Sequence, residues 1–292
     1  MMNGFLINPA IAGSDGYTTA ALTTRDHWAG LKDSPKTYAI SIQSRILWKK
    51  SSASNSSKSK GLFKKSGRVG LGAYIFNDKN ALISRTGGQI SYAYHIFLQN
   101  TQLSFGLAAS AFQFKIDQDK LKFRDSDPIM AEGFDNLIYV PDFTFGMYLL
   151  NSKSFLGISA AQLLQTRIKV GNENFDYKMN RHYYILGGYR FEISNNVKIE
   201  PSFLIRGTEM GLIQADINLK CIYNDFYWVG TSYRTGTSVG LLLGAKAKNV
   251  YFGYAFDYNL SDIQKYSFGS HEFNIAVKFG DSSRRYRWMI RY

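Results

Sequence analysis

Apolar and polar residues alternate with period two along most of this chain. Val250, Phe252, Tyr254, Phe256 and Tyr258 form one set; Tyr251, Gly253, Ala255, Asp257 and Asn259 form the other. Ile213, Ala215, Ile217, Leu219, Cys221 and Tyr223 alternate with Gln214, Asp216, Asn218 and Lys220. Val197, Ile199, Pro201, Phe203 and Ile205 alternate with Lys198, Glu200, Ser202, Leu204 and Arg206. Successive side chains of a β-strand point to opposite faces, so the pattern predicts strands with one oily and one polar face. No amphipathic helical stretch of comparable length occurs. About fourteen strands are predicted, near 17–25, 37–48, 68–77, 86–98, 101–115, 140–151, 153–166, 181–193, 196–207, 211–223, 225–235, 237–247, 249–258 and 268–280. Their length, roughly 9–14 residues, exceeds the usual strand of about 5–6. It matches the roughly 9–11 residues with which a tilted strand crosses a bilayer.

The connections sort by parity. After even-numbered strands they are tiny, at Gln99-Asn100, Ser152, Asn195, Asn224 and Lys248-Asn249. After odd-numbered strands they are often long, at 26–36, 116–139, 167–180 and 259–267. Outer-membrane barrels have short periplasmic turns, longer outer loops and an even strand number. Two connections near Gly207 and Thr235 are short on the long side, and a Ser/Lys-rich stretch at 49–67 is long on the short side. That stretch reads as a flexible low-complexity loop. The polar face carries Asp216, Lys220, Glu200, Arg206, Arg190, Asp257, Glu272 and Lys278. Such a face cannot form a dry core, because burying unpaired charge is costly. It suits a water-containing lumen, and closing the sheet removes the edges that lipid forbids. The expected fold is therefore all-β: one transmembrane antiparallel barrel of the outer-membrane type over 17–280. An N-terminal segment 1–16 serves as plug or periplasmic arm, and a basic aromatic tail occupies 281–292.

Composition narrows the alternatives. Aromatic residues make up 15% of the 292 residues, which argues against disorder. The longest apolar run, Val239 to Ala245, is far short of the roughly 20 residues of a membrane helix. The single Cys221 excludes a disulfide framework and falls on the apolar face as a small hydrophobe. The net charge of +13 suits an anionic partner or surface, or simply a solvated exterior. Met1-Met2-Asn3-Gly4 has neither a basic n-region nor an apolar h-region, so the chain is expected to be cytosolic or a mature, trimmed form. Trp28, Trp48, Tyr139, Tyr183, Tyr184, Tyr223, Tyr227, Trp228 and Tyr258 lie near strand ends, where barrels carry aromatic girdles.

Candidate chemistry is sparse. His27, His95, His182 and His271 show no metal-ligand spacing, and His271-Glu272 lacks the second His of a zinc protease helix. Gly70-Leu71-Gly72 lies within a strand and reads as a packing or kink feature. Neither an enzymatic activity nor a cofactor is expected. Two clusters lie outside the strand pattern. One is Asn8-Pro9-Ala10-Ile11-Ala12-Gly13 with Arg25-Asp26-His27-Trp28-Ala29-Gly30 and Ser34-Pro35-Lys36-Thr37; Trp28 reads as a binding anchor or a girdle residue. The other is the tail with Arg284, Arg285, Arg287 and Trp288. Basic and aromatic residues together can bind nucleic acid. A tail that follows the last strand of a barrel faces the periplasm, so no nucleic-acid partner is expected.

At these clusters the chain resembles the PorP/SprF family of outer-membrane proteins of the Bacteroidetes type IX secretion system. Asn-Pro-Ala-x-Ala-Gly at 8–13 is similar to that family's opening signature, and Arg25-x-x-Trp28-x-Gly30 with Pro35-x-Thr37 to its second. Further matches are Gly188-Tyr189 with Glu200-Pro201-Ser202, then Trp228-x-Gly230-x-x-Tyr233-Arg234, Gly253-Tyr254-x-x-Asp257 and Gly269-Ser270-His271-Glu272. The tail after Phe279-Gly280 and the stretch at 49–67 depart from the family pattern. The resemblance implies a signal peptide removed before this chain begins. It also implies a non-catalytic partner of the secretion machinery. Such a partner contacts the periplasmic ring and peptidoglycan-linked components. It supports export or surface anchoring of adhesins, including gliding adhesins, that carry a type B C-terminal domain. On that reading Arg25 and Trp28 with its loop face cargo, while 49–67 and the tail face the periplasm. A channel or transporter for small or hydrophobic molecules is the alternative, and a soluble two-sheet binding protein a third.

Overall fold

The computed structural model describes residues 4–46, 68–81, 83–116, 137–169 and 176–280. Among the described residues seventeen strands follow one another. The first seven are β1 Thr18–Asp26, β2 Lys36–Ile46, β3 Val69–Asn80, β4 Ile83–Leu98, β5 Thr101–Ile116, β6 Leu137–Asn151 and β7 Ser154–Ala161. Next come β8 Arg167–Lys169, β9 Asp176–Lys178, β10 His182–Tyr189, β11 Phe191–Glu192 and β12 Val197–Thr208. The last are β13 Ile213–Tyr223, β14 Tyr227–Arg234, β15 Ser238–Ala247, β16 Val250–Asn259 and β17 Ser270–Phe279. Fourteen of them close an antiparallel barrel, each paired with its chain neighbour, and β1 pairs with β17 to complete the ring. β8 and β9 form a separate small hairpin, and β11 is a short extension beside β12.

The alternation sets the two faces. Ile217, Leu219, Phe252, Tyr258 and Leu107 stand exposed on the outside, while Asp216, Glu200, Gln102, Ser104 and Asp257 are buried on the inside. This reverses the arrangement of a water-soluble protein and fits a lipid exterior around a polar lumen. The expected strand positions hold around the whole ring, with two local differences. The strand expected at 153–166 stops at Ala161, because Gln162 and Gln165 adopt left-handed backbone (φ 59° and 49°) and the chain turns inward over β6. The strand expected at 181–193 breaks at Arg190, whose side chain enters the lumen while the backbone resumes as β11.

The turns at 99–100, 152–153, 224–226 and 248–249 lie at one end, with the start of β1 and the end of β17. The loops 27–35 and 260–269 and the β8–β9 hairpin lie at the other. The stretch 49–67 and the tail 281–292, with Arg284, Arg285, Arg287 and Trp288, lie outside the described residues. Two expected girdle residues point the other way. Trp228 faces inward over Gly244 and beside Tyr251 and Ala276, and Tyr184 faces the lumen near His182. Both occupy even positions in strands whose odd positions carry the outward set, so register overrides their aromatic character.

Residues 4–16 do not extend the sheet. They form two short 3-10 turns, Gly4–Leu6 and Pro9–Ile11, laid against the inner faces of β3 to β7. Asn8 caps the second turn by accepting a hydrogen bond from the Ala10 amide at 3.0 Å. Pro9 follows at the first position, where its missing N–H costs nothing. Phe5, Ala10 and Ala12 are fully buried there.

Candidate functional site

Two groups of charged side chains pair within the lumen, besides the Arg85–Asp78 and Lys278–Asp15 pairs. Toward the long-loop end, Arg25 of β1 donates to Asp257 of β16 (2.7 Å) and Glu272 of β17 (2.9 Å). Arg234 of β14 reaches Asp216 of β13 (3.0 Å) and approaches Asp257 (3.8 Å), and Arg206 of β12 also pairs with Asp216. Three arginines and three carboxylates thus link β12, β13, β14, β16, β17 and β1. Toward the short-turn end, Glu200 of β12 accepts from Arg190 (2.6 Å) and from Lys220 of β13 (2.9 Å). These contacts gather Asp216, Arg206, Asp257 and Glu272 into one cluster and Glu200 with Lys220 into another. Arg25, expected at the end of the first strand as a partner-binding residue, is the penultimate residue of β1 and turns into the lumen, where two carboxylates hold its guanidinium.

Trp28 sits in the loop after β1, with left-handed backbone (φ 54°). Its amide donates to Ser270 Oγ at 3.2 Å, Ala29 N–H donates to Gly269 O, and Phe268 N–H donates to Ala29 O. Loop 27–35 is thereby zipped to loop 260–269, continuing the β1–β17 seam above the last ladder pair. Phe268 covers Gly30, whose φ of 95° and lack of Cβ permit the contact. His27 lies beside Ser270 Oγ at 3.2 Å. Burial, reinforced by the neighbouring Arg25 cation, lowers its pKa to about 4.

The other histidines lie apart. His182 contacts Gln162 Oε1, and His271 contacts the Tyr254 hydroxyl. His95 is fully buried. Its Nε2 donates to Ala12 O, which leaves Nδ1 as acceptor from Gln102. Arg45 in turn donates to Ser14 O (2.7 Å) and Gln102 Oε1 (2.8 Å). The residues that grip the N-terminal segment were not among the sequence candidates. Glycine recurring on the polar face, at Gly70, Gly72, Gly106, Gly146 and Gly157, was the available signal. A cavity of about 450 Å³ opens at the long-loop end among Arg85, His182, Tyr184, Met179, Met210 and Leu212.

Residues 1–277 match the sequence pattern of a family described as type IX secretion system membrane protein PorP/SprF. The chain belongs to that family. Among curated proteins none matches it. Its fold is similar to that of the Ralstonia pickettii toluene transporter TbuX. The TM-score is 0.51 at 11% identity, covering 94% of this chain and 92% of that one. Weaker likenesses are CdiB from Acinetobacter baumannii (TM-score 0.46, 6% identity, 90% and 60% covered) and BamA from Haemophilus ducreyi lacking POTRA domains 1–3 (TM-score 0.43, 10% identity, 90% and 70% covered). The protein is thus an outer-membrane β-barrel of the type IX secretion system. By the loop rule of such barrels, the short-turn end faces the periplasm and the long-loop end the exterior.

Proposed function

We propose that this PorP/SprF-family barrel catalyses no reaction and supports export or surface anchoring of adhesins and other cargo that carry a type B C-terminal domain. Cargo meets its outer end, and its periplasmic end contacts the ring and peptidoglycan-linked components of the machinery. The family membership of residues 1–277 carries this reading. At the outer end, the zipped 27–35 and 260–269 loops present Trp28 with exposed Phe268 and Tyr266, a compact aromatic surface of the kind that anchors partners. Pull-down from detergent-solubilised membranes, with mass spectrometry of co-purifying proteins, tests the assignment. Ring components and proteins bearing the cargo domain are expected, and recovery of the barrel alone would refute it. Replacing Trp28 by Ala is expected to reduce surface display of cargo; unchanged display removes Trp28 from the docking surface.

A second reading, a channel or transporter for small or hydrophobic molecules, would use the cavity at the long-loop end, where Met179, Met210, Leu212 and Tyr184 stand among the polar Arg85, Gln162, Asn180, His182 and Thr208. Its volume of about 450 Å³ lies within the usual range of ligand pockets. Retention of a hydrophobic solute by the purified barrel, lost in Met210→Glu, would favour it.

A further inference from the structure

Glycines open the inner wall of β3, β5, β6 and β7 where the N-terminal segment lies. A Cβ on Gly106 would fall on the Ala10 amide nitrogen, one on Gly146 on Asn8 Oδ1, and one on Gly70 on the Ala12 carbonyl oxygen. On Gly157 it would stand 2.9 Å from Asn8 Nδ2. Glycine is disfavoured inside strands unless something comes close; here the segment's backbone does so at Gly70 and Gly106, and the Asn8 side chain takes the space at Gly146 and Gly157. Polar contacts complete the seat. Asn8 Nδ2 donates to Met147 O (2.8 Å) and Ile158 O (3.1 Å), so one side chain ties β6 and β7 to the segment. Ser159 Oγ donates to Ile7 O (2.8 Å), and the Gly13 amide donates to Gln43 Oε1 (3.1 Å). His95 and Arg45 hold the carbonyls of Ala12 and Ser14. The segment therefore bonds to β2, β4, β6 and β7 and lies along that side of the lumen, and Asp15 accepts from Lys278 of β17 at 3.0 Å. On the facing wall, Glu200 pairs with Arg190 and Lys220 toward the same short-turn end, and Arg25, Asp257, Glu272, Arg234, Asp216 and Arg206 pair along the wall toward the long-loop end.

We propose that residues 4–16 are a seated plug which, with the ion-paired wall facing it, closes the lumen. The barrel then acts as a closed docking platform, and cargo does not pass through it. The inference rests on the secretion reading above and specifies how the barrel takes part.

Conductance in planar bilayers tests it on the purified full chain. The wild type is expected to give no steady ion-conducting steps. Gly106→Val/Gly146→Val places branched side chains where Ala10 and Asn8 lie, while valine suits a strand, so discrete steps are expected. Segment position is read separately with Ser14→Cys in a Cys221→Ser background, since Ser14 is buried. Labelling by a water-soluble maleimide is expected to be slow in that protein and at least tenfold faster when the two valines are added. Heat-modifiable gel migration reports folding. If the double variant does not fold, Asn8→Ala, which removes three hydrogen bonds and adds no bulk, takes its place with the same expectations. Wild-type conductance unaffected by displacement of the segment overturns the proposal. So does a silent barrel in which Ser14→Cys has become reactive, or a segment that stays protected despite the valines. Co-purification with secretion components is a separate readout: its loss would refute the secretion reading and leave the closed lumen standing.

Discussion

Glu200 shows how single residues behave inside this lumen. Its carboxylate is buried between Arg190 and Lys220, and Arg190 is as inaccessible as Glu200 itself. Removing one partner of a buried ion pair costs about 3–5 kcal/mol, because the remaining charge loses its counter-charge in a poorly solvated place. Glu200→Gln is therefore expected to lower unfolding stability by about 3 kcal/mol. Lys220→Met leaves the Arg190–Glu200 pair intact and removes a more accessible charge, at about 1 kcal/mol. Urea unfolding of the vesicle-inserted barrel measures both; equal losses would show that the trio is not hierarchical. At the outer rim His27 sets a pH dependence. Its pKa, near 6.5 when unfolded, is lowered to about 4 in the folded protein. The unfolded chain thus binds a proton that the folded one refuses, and stability is lost as pH falls from about 6.5 toward 4. His27→Gln should flatten the slope of unfolding free energy against pH in that window and leave it unchanged above pH 7. These partnerships were only partly legible in the sequence. The polar face named Glu200, Lys220, Asp216, Arg206, Asp257 and Glu272, because period two assigns each to a side. It could not name His95 or Arg45 as grips on the N-terminal segment. Their contacts to Ala12 and Ser14 arise from the closure of the ring, which no local pattern encodes.

At the scale of elements, each strand is defined by what its two faces meet, so its sensitivity to charge should follow depth. Leu219 stands on the outer face near the middle of β13, whereas Ile213 begins that strand; both are exposed. A lysine at the midplane of a barrel's lipid face costs about 2–4 kcal/mol, falling to about 0–1 near the interfaces. Leu219→Lys should therefore destabilise the vesicle-inserted barrel by about 3 kcal/mol and Ile213→Lys by less than about 1. Urea titrations in phospholipid vesicles decide it, and comparable losses at the two positions would contradict the membrane placement of β13. The same two-sided logic explains which elements the sequence revealed. β13 and β16 were legible almost to the residue because both faces alternate without interruption. β7 was drawn too long, since Gln162-Leu163-Leu164-Gln165 offers no glycine or proline to mark the left-handed turns that end it. The break at Arg190 was hidden because the residues on either side continue the alternation. Gly70-Leu71-Gly72 carried a packing signal, yet the object packed there is some sixty residues away in sequence.

For the molecule as a whole, charge is distributed by chain connectivity. Within the ion-paired cluster of β12 to β1 near the outer end, three arginines meet three carboxylates. Most of the net charge of +13 comes from elsewhere: nine units belong to the six lysines of 49–67 and to 281–292, which has four arginines and one aspartate. The first stretch joins Ile46 to Val69 and the second follows Phe279, and all three of these residues lie at the short-turn end. The strand ends that these two stretches follow thus lie on the periplasmic side by parity. A basic periplasmic end favours acidic partners and makes capture depend on ionic strength, since exposed charges are screened beyond about 10 Å at 0.1 M salt and about 3 Å at 1 M. Recovery of periplasmic components with the detergent-solubilised barrel is therefore expected to fall several-fold between 0.1 M and 1 M salt. Replacing Arg284, Arg285 and Arg287 by Gln should lower recovery at 0.1 M and shrink the salt effect, with barrel folding unchanged by gel migration. The cargo contact proposed at the Trp28 end would rest on aromatic surface and should respond far less to salt. A recovery indifferent to both salt and the three substitutions would mean that the periplasmic contact is made by the barrel rim itself.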